Sequence, residues 1–172
     1  MPITGSAKLA GVIGWPVSHS LSPRLHSYWL KHYEIDGAYV PFAVQPEDLH
    51  QILRALPKMG FKGVNVTVPH KENALSAMDH VSETARRLGA INTIIIDEDG
   101  FLWGDNTDGV GFIESLRNNV FDLNFSDCKP VVLGAGGAAR AIVASLQDAG
   151  VPEIQLVNRT LERSQALARD LQ

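Results

Sequence analysis

The sequence predicts an α/β protein: an amino-terminal α/β body with a mostly parallel sheet, followed by a second, smaller α/β body. Three observations predict it. Strand-like and helix-like segments alternate from the start, as in folds whose strands are joined by helical crossovers. Runs such as Val64 to Val68 alternate β-branched and polar residues with the period of two that a half-buried strand requires. Late in the chain an apolar run passes through a glycine-rich turn into a helical pattern.

The elements follow in order. KLAGVIG, residues 8–14, reads as the first strand, and SPRLHSYWLKHY as a helix with Ser22 capping its first turn and Pro23 where proline is best tolerated. AYVPFA is a second strand. PEDLHQILRALPKMG predicts one long helix, because Leu49, Ile52, Leu53 and Leu56 share a face and Pro57 and Gly60 stop it. The third strand, Val64 to Val68, ends where Pro69 cannot donate to a ladder. Two short helical pieces ending at RLGA come next, then a hairpin turning at Asp99-Gly100. DNTDGVGFIESLRNN predicts a helix that bridges two bodies. After Lys129 a new unit opens with a strand (PVVL), a glycine turn, a helix, a strand (EIQLVNRT) and a last helix headed by Thr160. The expected domains are residues 1–106 and 107–172. The last helix pattern has no stop signal, and only two strands can be counted in the second body, so the sequence reads as cut short.

Composition narrows the function. At 172 residues with 45% hydrophobic content, the chain can bury a core. A net charge of −4 gives no basic field for a nucleic-acid backbone, so no nucleic-acid partner is expected. No apolar run approaches the ~20 residues that a membrane helix needs. The amino terminus lacks a secretory pattern, so a cytoplasmic protein without a membrane partner is the default. Cys128 is the only cysteine, which excludes an internal disulfide, and none of the six histidines shows a metal-ligand spacing. No metal is expected.

Four constellations could carry chemistry. GAGGAA, Gly134 to Ala139, has the dinucleotide-binding form in its strand-turn-helix setting. Gly134 permits the turn, Gly136 lets the backbone approach a diphosphate, and Ala139 permits close packing of helix on strand. The second strand ends in Asn158-Arg159-Thr160, where an NAD site would place a carboxylate; Arg159 and Arg163 would attract a 2′-phosphate, which favours NADP. Alternatively, Thr160 only caps the last helix and the arginines are solvated. Ser18 and Ser20 precede a helix amino terminus and could hold a carboxylate, although turn and cap chemistry also accounts for them. Asp108 stands at a helix start, where capping alone explains it, and Lys71 follows the proline turn, where a rigid scaffold could aim it at a substrate. A lysine and a carboxylate that meet can pass a proton while staying fixed in orientation.

These motifs occur in one order: SHSLSP (18–23), NVTVPHK (65–71), GAINT (89–93), GDNTDGVG (104–111), GAGGAA (134–139) and NRT (158–160). In that order the chain resembles the shikimate dehydrogenase family, from about residue 8 to the last residue. The resemblance implies a substrate-binding domain followed by an incomplete Rossmann-type domain, and NADP-dependent reduction of 3-dehydroshikimate to shikimate on the route to chorismate and the aromatic amino acids. It implies that Ser18 and Ser20 hold the substrate carboxylate, and that Asn65, Thr67, Asn92 and Asp108 meet the ring hydroxyls. Lys71 would be the catalytic lysine, working with Asp108. Gly134, Ala135, Gly136, Gly137 and Ala138 would hold the diphosphate, and Asn158, Arg159, Thr160 and Arg163 the 2′-phosphate. Two alternatives stay open: a relative that also oxidises quinate, and a truncated form that binds shikimate without turnover. An unfinished sheet edge could pair with a second copy, giving a homodimer.

Overall fold

The computed structural model describes residues 3–171. It divides into two compact units, the described residues of Met1–Ser82 with Ile91–Asp105, and those of Glu83–Ala90 with Asn106–Gln172. The expected domain boundary falls one residue later, and the short segment Glu83–Ala90 groups with the second unit.

The first unit carries six strands: β1 (Lys8–Gly14), β2 (Gly37–Ala43), β3 (Phe61–Val66), β4 (His80–Val81), β5 (Thr93–Ile96) and β6 (Leu102–Asp105). Their spatial order is β2-β1-β3-β5-β6-β4. β1 pairs in parallel with β2 and β3, and β4 with β6, whereas β5 runs antiparallel to both β3 and β6. Tyr39 packs with Val12 and Val17, while Ile13, Val64, Val66, Ile94 and Leu102 are buried along the strands.

Helix α1 (Ser22–His32) crosses from β1 to β2. It corrects the expected cap: Leu21 already has helical backbone and holds the cap position, so Ser22 lies inside the helix, and Ser20 Oγ accepts from its N–H at 3.3 Å. Helix α2 (Leu49–Ala55) is shorter than the pattern predicts, with 3₁₀ turns at Pro46–Asp48 and Pro57–Met59. Pro57 has no N–H to continue the α-helical ladder, and the chain tightens instead. The apolar face survives, with Leu49, Leu53 and Leu56 buried.

β3 ends at Val66, so the alternation expected to reach Val68 breaks and that side chain is 68% exposed. The peptide bonds before Pro16 and Pro69 are cis. The hairpin between β5 and β6 turns where predicted, with Gly100 in the left-handed region at φ 86°. Asp97 ties that turn by accepting from Phe101 N–H at 2.8 Å and Trp103 Nε1–H at 2.8 Å. The indole bond, followed by the backbone donors, holds its carboxyl below the usual range. The two-residue β4 was not expected, because periodicity cannot register so short a strand.

The second unit contains α3 (Glu83–Leu88), α4 (Asp108–Asn119), β7 (Val131–Leu133), α5 (Gly137–Asp148), β8 (Gln155–Val157) and α6 (Leu161–Asp170). β7 and β8 pair in parallel. Ala141, Val143, Ala144 and Leu146 of α5 pack with Ile113, Val132, Leu167 and Leu171 into one core. Among the described residues no helix is long and apolar enough to cross a membrane.

Candidate functional site

In the first unit the candidate residues gather at one edge of the sheet because of its register. β1, β2 and β3 are parallel, so their carboxyl ends, Gly14, Ala43 and Val66, lie on the same side. β5 runs the other way, which sets its first residue, Thr93, opposite Asn65, with Asn92 just before it. Ligands in open α/β sheets bind outside the carboxyl ends of the parallel strands. The turns carrying Ser18 and Ser20, Thr67 and Lys71, and Asn92 all leave from this edge.

Each turn is fixed by backbone bonds. Thr67 N–H donates to Ile13 O at 2.9 Å, and His70 N–H closes the turn on Thr67 O at 2.9 Å. Ile91 N–H donates to Lys71 O at 2.8 Å, which anchors the backbone of the half-buried Lys71. His70 is fully buried. Its Nε2 donates to Val44 O at 2.8 Å, because a carbonyl can only accept, and this ties the turn to the end of β2. Gly14 has a role that the sequence did not announce: a Cβ there would stand 2.6 Å from Thr67 Cγ2 and 3.2 Å from Val68 O.

Asn65 sits in a polar network. Tyr39 Oη donates to Asn65 Oδ1 at 2.7 Å, and Asn65 Nδ2 donates to Asn92 O and to Thr93 Oγ1, each at 3.3 Å. Thr93 Oγ1 donates to Asn92 Oδ1 at 2.9 Å. His26 stacks on the Tyr39 ring with centroids 3.9 Å apart and planes 4° apart. Burial pushes the Tyr39 phenol up to about 12 against a smaller opposing bond from Ser22, and lowers His26. Neither Tyr39 nor Thr93 was singled out by sequence reading. Their polar contacts join β2, β3 and β5, pairings that local patterning does not reveal.

Ser18 is exposed and Ser20 half-buried. Ser20 N–H donates to Val17 O at 3.0 Å, so local turn and cap bonds account for part of what these serines do.

In the second unit Asp108 is the first residue of α4, and its N–H donates to Asn106 Oδ1 at 3.1 Å. The buried Asn106 in turn donates through Nδ2 to Ala90 O at 2.9 Å. Asn106 therefore supplies a side-chain acceptor at this helix start.

The glycine turn leaves its backbone open to close approach. Gly134 has φ +115°, a region that side chains rarely adopt, and a Cβ at Gly134 or Gly136 would meet nothing within 4 Å. Gly136 holds the cap position of the 12-residue α5 with no side-chain cap, so the first-turn N–H groups of Gly137 and Ala138 have neither a helical nor a capping acceptor. Ala135 is buried and Ala138 exposed. Past β8, Asn158 Nδ2 donates to Thr160 O at 2.7 Å, which shapes the turn and occupies a donor expected to face a phosphate. Thr160 stands at the α6 cap position without making a side-chain cap bond. Arg159 and Arg163 are exposed, and among the described residues neither forms an ion pair. Among the described residues no cluster of histidine, cysteine and carboxylate groups could hold a metal.

A family model described as "Shikimate dehydrogenase substrate binding domain" matches residues 12–94, and one described as "Shikimate / quinate 5-dehydrogenase" matches residues 115–172. A Rhodospirillum rubrum protein named shikimate dehydrogenase (NADP(+)) is 60% identical over 169 residues, covering 98% of this chain and 60% of its own length. The chain thus spans about three fifths of that relative. The crystal structure of shikimate dehydrogenase from Aquifex aeolicus superimposes with a TM-score of 0.91 at 37% identity, covering 98% of this chain and 62% of that one. The Thermus thermophilus shikimate 5-dehydrogenase crystallised with NADP(H) and shikimate superimposes with a TM-score of 0.85 at 40% identity, covering 95% of this chain and 60% of that one. By sequence and by fold, the chain belongs to the shikimate dehydrogenase family.

Proposed function

We propose that this chain carries the shikimate-binding unit and a nucleotide-binding part of an NADP-dependent shikimate dehydrogenase, which interconverts 3-dehydroshikimate and shikimate. The observation that carries the reading is the gathering of Asn65, Thr67, Asn92 and Lys71 at the carboxyl edge of the first sheet, within the segment matched by the substrate-binding family model. A hydroxylated ring needs fixed donors and acceptors, and Asn65 and Asn92 are held by hydrogen bonds before any ligand arrives.

The roles follow from the chemistry. Ser18 and Ser20 offer hydroxyl donors to the ring carboxylate, and Asn65, Thr67 and Asn92 bind ring hydroxyls. Lys71 donates a proton to the alkoxide that forms as the ketone is reduced, and accepts it in the reverse direction. Asp108 is the proposed carboxylate that works with Lys71 and binds a neighbouring hydroxyl. The backbone N–H groups at Gly134 to Ala138 hold the diphosphate, and Arg159 and Arg163 favour a 2′-phosphate. When bound, NADPH supplies the hydride. The quinate alternative keeps its place, because the matching family model is described for both ring acids. A cytoplasmic location and a homodimer complete the proposal.

The test is nicotinamide absorbance with shikimate and NADP⁺, using this chain and any longer product of the same gene. Reduction dependent on both compounds supports the reading. Absence of turnover together with absence of shikimate binding, in every form of the protein, contradicts it.

A further inference from the structure

A chain of hydrogen bonds runs one way through the first unit, and its direction is set by chemistry. The backbone carbonyl of Asn92 can only accept, so the Asn65 amide must turn its Nδ2 toward it, at 3.3 Å. That leaves Asn65 Oδ1 facing Tyr39 Oη at 2.7 Å, and the phenol must donate. The second Asn65 amide proton goes to Thr93 Oγ1 at 3.3 Å, and the threonine spends its own proton on Asn92 Oδ1 at 2.9 Å. With Oδ1 accepting from Thr93, the Asn92 amide is held in one of its two orientations.

We infer that Tyr39 and Thr93 are positioning residues, which fix the donor and acceptor pattern that Asn65 and Asn92 offer to a hydroxylated ligand. Tyr39 heads the relay and Thr93 links its two amides. The geometry suits a fixed device. His26 lies flat against the Tyr39 ring at 3.9 Å and limits its rotation, and Tyr39 packs against Val12 and Val17. Because burial raises its pKa to about 12, the phenol keeps its proton throughout the neutral range. An amide free to flip would offer its oxygen and nitrogen in either order, and would discriminate poorly between a ring hydroxyl and a ring ketone. A hydroxyl can donate or accept, whereas a ketone only accepts.

The identity of the ligand rests on the function proposed above, but the relay does not, and the experiment separates them. The side-chain NH₂ resonances of Asn65 and Asn92 are followed by NMR in the ligand-free protein, and shikimate affinity is measured by titration. Tyr39→Phe should move both pairs of resonances, including those of Asn92, which the phenol does not touch. It should also weaken shikimate by about tenfold, the loss expected when a partly buried acceptor is left without its donor. Thr93→Val should move the Asn92 resonances and weaken binding to a similar extent, while Thr93→Ser, which keeps the hydroxyl, should restore both. If the native protein fails to bind shikimate while the resonances respond in this way, the relay stands and the ligand assignment falls. If Tyr39→Phe leaves the Asn92 resonances in place, or Thr93→Ser behaves like Thr93→Val, the inference is overturned.

Discussion

The two units differ in how they are set up for the ligands proposed for them. In the first, the proposed recognition lies in side chains: a tyrosine, two asparagines and a threonine from β2, β3, β5 and the approach to β5 are hydrogen-bonded to one another. In the second it is written in backbone, as a glycine turn at φ +115° opening onto the uncapped start of α5, with arginines left in solvent. The difference follows from the chemistry. A diphosphate is satisfied by any array of N–H groups and positive charge, whereas a ring bearing several hydroxyls must be told donor from acceptor at each position. Backbone supplies the first and only oriented side chains supply the second.

The largest effect should come from Lys71→Ala, which removes the proposed proton donor: turnover should fall by about 10² to 10⁴, with shikimate affinity changed far less. Steady-state kinetics on a catalytically active form reads this split, and full turnover in the variant would remove the lysine from the chemistry. Next is Leu53→Ala. Its side chain is fully buried in the first unit, and a cavity there should cost about 2–5 kcal/mol of stability by denaturant unfolding. Gly134→Ala acts on the backbone of the second unit. A side chain in the left-handed region costs about 1–2 kcal/mol, so NADP⁺ should bind about tenfold more weakly while shikimate is unaffected. Loss of shikimate affinity in that variant would break the division between the units.

The smallest effect is a pH dependence. Tyr39 has a folded pKa of about 12 against an ordinary value of 10.0. Its contribution to stability is therefore fully present below pH 10 and is lost as pH rises toward about 12, as the unfolded phenol ionises first. Unfolding midpoints measured across that window should decline, and Tyr39→Phe should flatten the decline.

The same contrast explains what could be read from the sequence. GAGGAA is local: the glycines, the preceding strand and the following helix are neighbours in the chain, so motif and structure coincide. The relay is non-local. Tyr39, Asn65 and Thr93 come together only because β1 separates β2 from β3 and β5 returns antiparallel, and no period in the sequence encodes that order. The misjudged boundaries have similar causes. The PEDLHQILRALPKMG pattern kept its face but lost its ends to prolines at both termini, and Ser22 was displaced from the cap because Leu21 had already adopted helical backbone. The roles proposed for Lys71, Asn65 and Asp108 rest on the ordered motifs, since none of the three differs in type from an ordinary surface or cap residue.

The central claim is that each unit is already built for its own ligand. Backbone amide shifts of the ¹⁵N-labelled chain, titrated first with shikimate and separately with NADP⁺, test it most directly. The account predicts that shikimate moves the signals of residues 65–67, 71 and 92, and that NADP⁺ moves those of residues 134–138 and 159–163. Shikimate shifts centred on the glycine turn, or NADP⁺ shifts centred on the Asn65 network, would contradict it.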